Sequence, residues 1–176
     1  VAAVMHTGLG EALHRRFADG DEFSGHCYRA AVTRVEKDHR PQMIDRAAAI
    51  AERFLRAGAE IVVVSNSSPE KLTTWFRHAG ISGIRVRGHA AKFELDGSPE
   101  IRTIAGRPVR LDRPRYRAAL LEERPDFVMG DVFSLDLALP ASLGIETVLI
   151  ENPYTPEWSR QAVAATPGAR RVSSVE

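Results

Sequence analysis

The sequence predicts an α/β fold with a doubly wound, mainly parallel sheet, and three observations lead to this class. Residues 61–64 form a continuous run of β-branched side chains, Ile-Val-Val-Val, which is typical of a strand buried on both faces of a parallel sheet. Shorter apolar runs at 84–86, 126–129 and 147–150 predict three further strands. Helix-like segments separate these runs, and such strand–helix alternation is the pattern of a doubly wound sheet.

The predicted helices carry start and stop signals. One runs from Pro41, which suits a first turn, to Gly58, because apolar residues recur at helical spacing between them. Ser68 and Pro69 supply an N-cap and a first-turn proline for a second helix, which stops at Gly80. The remaining predicted helices span 114–123, 133–143 and 158–165.

Other segments surround this predicted core. Residues 8–42 are helix-like and long enough for a small helical cap, while 89–109 alternate weakly and predict a β-hairpin flap with its turn near 96–99. Residues 166–176 are polar, so we expect a frayed tail. The predicted organisation is a single domain over 1–165 followed by that tail.

Composition narrows the function classes. Lys and Arg number 24 against 23 for Asp and Glu, which gives no electrostatic case for a nucleic-acid partner. No apolar run approaches the length of a membrane span, so no membrane partner is expected. The single Cys27 cannot form an internal disulfide, which favours a reducing, cytoplasmic location. The chain starts with Val, so we expect either processing or a start inside a longer protein; the oligomeric state is left open.

The strongest candidate site is Gly130-Asp131, with a second acid at Asp136. Asp131 stands at the carboxyl end of a predicted strand, where open α/β sheets bind their ligands, and Gly130 is expected to allow a sharp backbone turn. Neighbouring carboxylates suit Mg²⁺, which takes few protein carboxylates together with water and phosphate. The alternative is that Asp131 only caps the helix that follows.

A second candidate follows the Val run: Ser65-Asn66-Ser67-Ser68. Hydroxyl groups at a strand end, next to the start of a helix, favour phosphate binding, because free backbone N–H groups and the helix dipole attract an anion. The alternative is an ordinary capping loop, since Ser and Asn are common cap residues.

Together the two segments resemble the haloacid dehalogenase superfamily of hydrolases. Ser65-Asn66 after an apolar strand is similar to its second motif, and Gly130-Asp131 with Asp136 is similar to its fourth. Residues 144–150 look like its closing strand. The resemblance covers about 57–153, over half of the chain.

This resemblance implies a Rossmann-like phosphohydrolase that acts on a small phosphorylated metabolite with Mg²⁺. Ser65 would hold a phosphate oxygen through its hydroxyl, with help from the backbone N–H of Asn66. Asp131 would hold Mg²⁺ directly or through water. Asp136 would orient the metal site or the basic residue of the third motif.

The third motif departs from the family pattern, which usually has a lysine. Arg110-Leu-Asp-Arg113-Pro-Arg-Tyr116 stands where the family often shows Lys-Pro-x-Pro-x-x-Tyr. Arg110 is the aligned catalytic cation, and Arg113 is the alternative, as a phosphate-binding residue. Lys92 is the nearby lysine upstream, on the predicted hairpin. A solvated surface arginine is the other interpretation of each arginine, and Arg is not equivalent to Lys at such a site.

The first motif, Asp-x-Asp, is missing. Its first aspartate is the family's nucleophile, which attacks phosphorus to form an aspartyl-phosphate. Ahead of the second motif only Asp19-Gly-Asp21 has these letters, and its polar surroundings predict a turn. The apolar residues 1–5 are predicted to fill the central strand position, with His6 and Thr7 emerging where the nucleophile would stand.

Three hypotheses remain. The first is an enzyme whose Asp-x-Asp lies on a segment absent from this chain, which as given should not turn over substrate. The second is a non-catalytic binding or interaction module that keeps the pocket of Ser65 and Asp131. The third, an unrelated nucleotide-binding domain, is disfavoured because neither G-x-G-x-x-G nor a Walker loop occurs.

Overall fold

The chain divides into two compact units, Val1–Gln42 and Met43–Glu176. The computed structural model describes these residues: 16–17, 23, 26–27, 29–34, 47–95 and 99–173.

In the first unit, the described residues at 23, 26–27 and 29–34 are helical. Phe17 is buried there, and its ring centroid lies 5.3 Å from that of Phe23 and 5.2 Å from that of His26. The strand predicted at 1–5, the Asp19-Gly-Asp21 turn and most of the predicted cap lie outside the described residues.

The second unit alternates helices and strands. Its helices are α1 (Ala47–Arg56), α2 (Pro69–His78), α3 (Pro114–Glu123), α4 (Ala138–Ser142) and α5 (Glu157–Ala164), and a π-helical turn (Phe133–Leu137) leads into α4. Its strands are β1 (Ile61–Val64), β2 (Ile84–Arg87), β3 (Ile101–Ile104), β4 (Arg107–Arg110), β5 (Phe127–Gly130), β6 (Glu146–Glu151) and β7 (Ala169–Ser173).

The strands pair as the α/β class requires. β1 pairs in parallel with β2, and β5, β6 and β7 form a second parallel sheet in that order. The predicted positions and parallel direction of β1, β2, β5 and β6 are therefore confirmed. Within the part of the chain that the structure describes, the two parallel sheets are separate, so the single doubly wound sheet stays a prediction.

The start of α2 also agrees with its sequence signals. Ser68 has extended backbone angles, and its hydroxyl accepts a hydrogen bond from the N–H of Lys71 at 3.3 Å. Pro69 occupies the first turn, and Gly80 follows the helix with φ +73°. This cap fixes where β1 gives way to α2, and hence where the polar residues between them lie.

The apolar core lies around β6, α3, α5 and the π-helical turn. Phe133, Leu137 and Leu149 are fully buried, and the edge of Trp158 meets the ring of Phe133 at a centroid distance of 5.8 Å. Burial of each such side chain stabilises the fold by about 1.5–3 kcal/mol. The core therefore anchors the segment that follows β5.

The predicted hairpin exists, but its predicted turn was wrong. β3 and β4 pair antiparallel, and the turn between them is Ala105-Gly106, not 96–99. Both turn residues have positive φ, +46° and +75°, as in the two-residue turns that match strand twist. Lys92 lies in a turn after β2 and outside this hairpin.

The expectation of a frayed tail was also wrong for β7. This strand pairs in parallel with β6 from Ala169 opposite Thr147 to Ser173 opposite Glu151. β7 is the edge strand of the sheet in the described residues, and its polar side chains are exposed. Backbone pairing with β6, rather than burial of apolar side chains, therefore holds this strand in place. No helix in the described ranges is both long and apolar enough to span a membrane.

Candidate functional site

The first part of the site is the serine loop (65–68), between β1 and α2. The backbone of Ser65 is fully paired: its N–H donates to the carbonyl of Arg87, and its carbonyl accepts from the N–H of Ala90, both at 2.9 Å. Its hydroxyl oxygen accepts from the N–H of Ser67 at 3.2 Å. The hydroxyl hydrogen of the half-buried Ser65 can still be donated to a ligand.

The serine loop packs tightly on the end of β2. A Cβ atom added to Gly88 would lie 2.5 Å from the backbone nitrogen of Pro69 and 2.6 Å from the carbonyl oxygen of Ser67. The N–H of His89 donates to that same carbonyl at 2.9 Å. Glycine is therefore required at 88 for close backbone approach.

The second part is the aspartate segment (130–136), which follows β5. Asp131 is exposed, and its Oδ2 lies 3.5 Å from Nδ2 of Asn152, just past the end of β6. Asp136 is buried, and its Oδ2 accepts from the N–H of Val132 at 3.1 Å. The segment thus presents one carboxylate to solvent and turns the other inward.

Gly130 has a different role from the one predicted. Its φ is not positive, so its backbone conformation does not require glycine. Instead, a Cβ atom at Gly130 would lie 2.5 Å from Cβ of Asp136, a separation that real side chains do not reach. The chain folds back over Gly130, which brings the side chain of Asp136 against it.

Lys92 connects the two parts. Its ammonium lies 2.7 Å from Oδ1 of Asp136, and both side chains are largely buried, at 14% and 10% exposure. Its backbone N–H donates to Oδ1 of Asn66 at 2.8 Å. Its ammonium also lies 5.2 Å from the ring centroid of Tyr116. The loop after β1 and the segment after β5 therefore meet at one lysine.

Sequence reasoning gave Lys92 too little weight because it placed this residue on the hairpin. A usable signal existed: Lys71 and Lys92 are the only lysines between Ser65 and Asp131. Lys71 lies on α2, where its ammonium sits 4.9 Å from the ring centroid of Trp75.

Arg110, predicted as the aligned cation, binds a different carboxylate. Its Nε donates to Oδ1 of the buried Asp112 at 2.8 Å, and its Nη2 contacts the other oxygen. The guanidinium of Arg110 lowers the pKa of Asp112. This pair lies at the end of β4.

Arg113 and Tyr116 contact the backbone around Lys92 and Asp136. The guanidinium of Arg113 donates to the carbonyls of Lys92, Arg110 and Ser134. The hydroxyl of Tyr116 donates to the carbonyl of Asp136 at 2.7 Å, and burial raises the pKa of this hydroxyl. Both residues come from the start of α3, so that helix supports the Lys92–Asp136 pair.

The donor set around Asp131 fits magnesium bound together with phosphate. In the ranges that the structure describes, no three His, Cys, Asp or Glu side chains converge on one point. Mg²⁺ nevertheless binds through one or two carboxylates and completes its shell with water and phosphate oxygens. Asp131 can supply one such carboxylate from its exposed position.

Comparisons of the chain with models of protein families, with curated proteins and with solved structures find no match. The functional interpretation therefore depends on the contacts among the serine loop, Lys92 and the aspartate segment. His6 and Thr7, predicted to stand at the position of the nucleophile, lie outside the described residues.

Proposed function

We propose that this chain carries the phosphate- and magnesium-binding part of a haloacid dehalogenase-like phosphohydrolase, built on a doubly wound sheet and specific for a small phosphorylated metabolite. One observation carries the proposal: Lys92 contacts Asn66 through its backbone and Asp136 through its ammonium, at 2.8 and 2.7 Å. The serine loop, Lys92 and Asp136 are thereby linked next to the carboxyl ends of β1 and β5, and open α/β sheets bind their ligands at such ends.

Each residue has a role that its surroundings support. The hydroxyl of Ser65 and the N–H of Asn66 donate to phosphate oxygens. The ammonium of Lys92 balances the phosphate charge, and Asp136 orients that ammonium. Asp131 holds Mg²⁺, which supplies charge neutralisation at the phosphoryl oxygens when bound. Lys92 thus takes the third-motif role in preference to Arg110, whose guanidinium is bonded to Asp112.

The covalent route also needs a carboxylate nucleophile at the end of a strand. This sequence has no Asp-x-Asp after an apolar run, because Asp19-Gly-Asp21 follows a polar stretch. We therefore expect the chain as given to bind Mg²⁺ and phosphate without turning over a phosphoester. That missing acid is also what favours the second candidate, a non-catalytic binding module built on the same pocket.

Calorimetric titration with Mg²⁺ and inorganic phosphate tests the proposal. The parent chain should bind phosphate more tightly when Mg²⁺ is present, Asp131→Asn should lose Mg²⁺ affinity, and Lys92→Met should lose phosphate affinity. Asp126→Asn is the matched control, because this exposed acid precedes β5 at the opposite end of the strand. Equal affinities in the parent and in Asp131→Asn would refute the magnesium assignment.

A turnover assay with p-nitrophenyl phosphate tests whether this chain contains a nucleophile. No Mg²⁺-dependent turnover is expected from this chain, whichever of the two candidate functions is right for the natural protein. Robust turnover that Asp131→Asn abolishes would show that the chain contains the nucleophile and would decide for an enzyme. Turnover that both Asp131→Asn and Lys92→Met keep would indicate a different active site.

A further inference from the structure

Arg113 was a candidate phosphate ligand on sequence grounds, yet the donor groups of its guanidinium point at backbone. Nε donates to the carbonyl of Arg110 at 3.3 Å, Nη2 donates to that of Ser134 at 3.4 Å, and Nη1 donates to that of Lys92. These carbonyls belong to the end of β4, the π-helical turn and the turn after β2. One side chain therefore joins three separate segments of the second unit.

The local sequence prepares Arg113 for this position. Pro114 disfavours helical backbone angles in the residue before it, and Arg113 has φ −119° and ψ 81°. Its own N–H donates to the carbonyl of Leu111 at 2.9 Å. With its backbone fixed and its side chain half-buried, the guanidinium is directed at these carbonyls.

Arginine is suited to this task in a way that lysine is not. The planar guanidinium carries five N–H donors in a rigid fork and can reach several acceptors at once, whereas an ammonium is a compact point charge. Burial lowers the pKa of Arg113, while the neighbouring Asp112 and Asp136 oppose that effect.

Lys92 is consequently held at three points. Asn66 accepts its N–H, Arg113 donates to its carbonyl, and Asp136 accepts its ammonium. Arg113 also contacts the carbonyl of Ser134, two residues before Asp136 along the π-helical turn. The same guanidinium therefore touches both chain segments that bring the ammonium and the carboxylate together.

We propose that Arg113 is a positioning residue that acts through Lys92: it joins the Lys92 turn to the aspartate segment and so places the Lys92 ammonium for phosphate binding. The inference rests on the proposed function, and it replaces the expectation that Arg113 binds phosphate itself. A positioning role predicts that Arg113 matters for phosphate affinity only while Lys92 is present.

A double-mutant cycle on phosphate affinity tests this dependence, with Mg²⁺ at a fixed concentration. Lys92→Met should weaken binding by about tenfold or more, the size of one charge-assisted hydrogen bond. Arg113→Met should cause a loss of several-fold in the parent background and less than twofold in the Lys92→Met background. Equal losses in both backgrounds would show that Arg113 contacts phosphate directly and would overturn the proposal.

Arg113→Lys is the second variant, and it also guards against a folding failure of Arg113→Met. It keeps the positive charge but cannot span the three carbonyls, so its phosphate affinity should fall nearly as far as that of Arg113→Met. Full affinity in Arg113→Lys would contradict the proposal. Arg117→Lys is the control on the same helix, because the guanidinium of Arg117 pairs with Glu100.

Hydrogen exchange of the Lys92 amide gives a readout that needs no ligand. This N–H is bonded to Asn66, and its exchange should become several-fold faster in Arg113→Lys than in the parent or in Arg117→Lys. Unchanged exchange would overturn the positioning role even if phosphate binds. If phosphate does not bind the parent chain while exchange responds as expected, the proposed function fails and the joining role of Arg113 stands.

Discussion

The serine loop follows the carboxyl end of β1 and the aspartate segment follows the carboxyl end of β5, yet they are held in different ways. Backbone N–H and C=O groups hold the serine loop: they belong to its own residues, to the first turn of α2, and to residues 87–92 at and after the end of β2. The aspartate segment depends on side chains distant in sequence, because Lys92 is 44 residues from Asp136 and Tyr116 is 20 residues from it. Backbone hydrogen bonds remain when one side chain is replaced, whereas members of a side-chain network lose partners together.

The largest effect is expected from Lys92→Met, which removes the charge and keeps the bulk of the side chain. Asp136 would then be a largely buried carboxylate whose ion-pair partner is gone, which costs about 3 kcal/mol of unfolding free energy. Chemical denaturation measures this loss. The double variant Lys92→Met/Asp136→Asn should regain part of it, because the buried charge is also removed.

Arg115→Met is the control for that experiment. It removes the exposed ion pair between Arg115 on α3 and Glu94 and should cost less than about 1 kcal/mol. If the Lys92 and Arg115 variants lose the same stability, the side-chain network around Asp136 is no stronger than a surface ion pair. The contrast between the two regions would then be wrong.

Gly130→Ala and Gly88→Ala compare the two regions directly. Gly130 is packed against Asp136 of the aspartate segment, and Gly88 is packed against the backbone of the serine loop and Pro69. Both variants should lose about 1–3 kcal/mol, because the added Cβ would lie about 2.5 Å from Asp136 in one case and from Pro69 in the other. Gly130→Ala should weaken phosphate binding through Lys92, because it displaces Asp136. Gly88→Ala should weaken it directly, because it displaces the backbone of Ser67 in the serine loop and of Pro69 next to it. Thermal unfolding and phosphate titration of both variants measure the two effects.

Full phosphate affinity in either variant would contradict the comparison. The region that this glycine supports would then take no part in phosphate binding. Stability losses near zero in both variants would mean that the backbone yields at both glycines.

The smallest effect is expected in the serine loop. Ser68→Ala removes the hydroxyl that caps α2 and should cost about 1 kcal/mol, while Ser68→Asp should keep most of the stability because Asp also caps helices. Chemical denaturation of the two variants, with the exposed Ser82→Ala as control, measures the difference. A loss above that of Lys92→Met would reverse the order of the two regions.

How much of the fold the sequence could predict depends on how far apart in sequence the contacting residues lie. Local signals predicted β1, the Ser68 cap and the bounds of α3, because a β-branched run, a cap and a first-turn proline act within a few residues. β7 was missed because its pairing with β6 leaves no apolar pattern in an exposed strand.

The site followed the same rule. The positions of Ser65 and Asp131 directly after strands could be predicted from the apolar runs before them, while the roles that the resemblance implies for them stay predictions. The carboxylate partner of Arg110, the clamp made by Arg113 and the place of Lys92 could not be predicted, because each depends on contacts between segments distant in sequence. Lys92, which the sequence assigned to the hairpin, lies in a turn that contacts both the serine loop and the aspartate segment.

The central claim is that the serine loop and the aspartate segment form one ion and phosphate site. Paramagnetic broadening of backbone amide signals by Mn²⁺, a hard cation that oxygen ligands accept in place of Mg²⁺, tests it most directly in the presence of phosphate. The account predicts the strongest broadening at Asp131, Ser65 and Asn66, weaker broadening toward Phe127 and Ile61 at the other ends of β5 and β1, and its loss in Asp131→Asn. Strongest broadening elsewhere, or unchanged broadening in Asp131→Asn, would contradict the account.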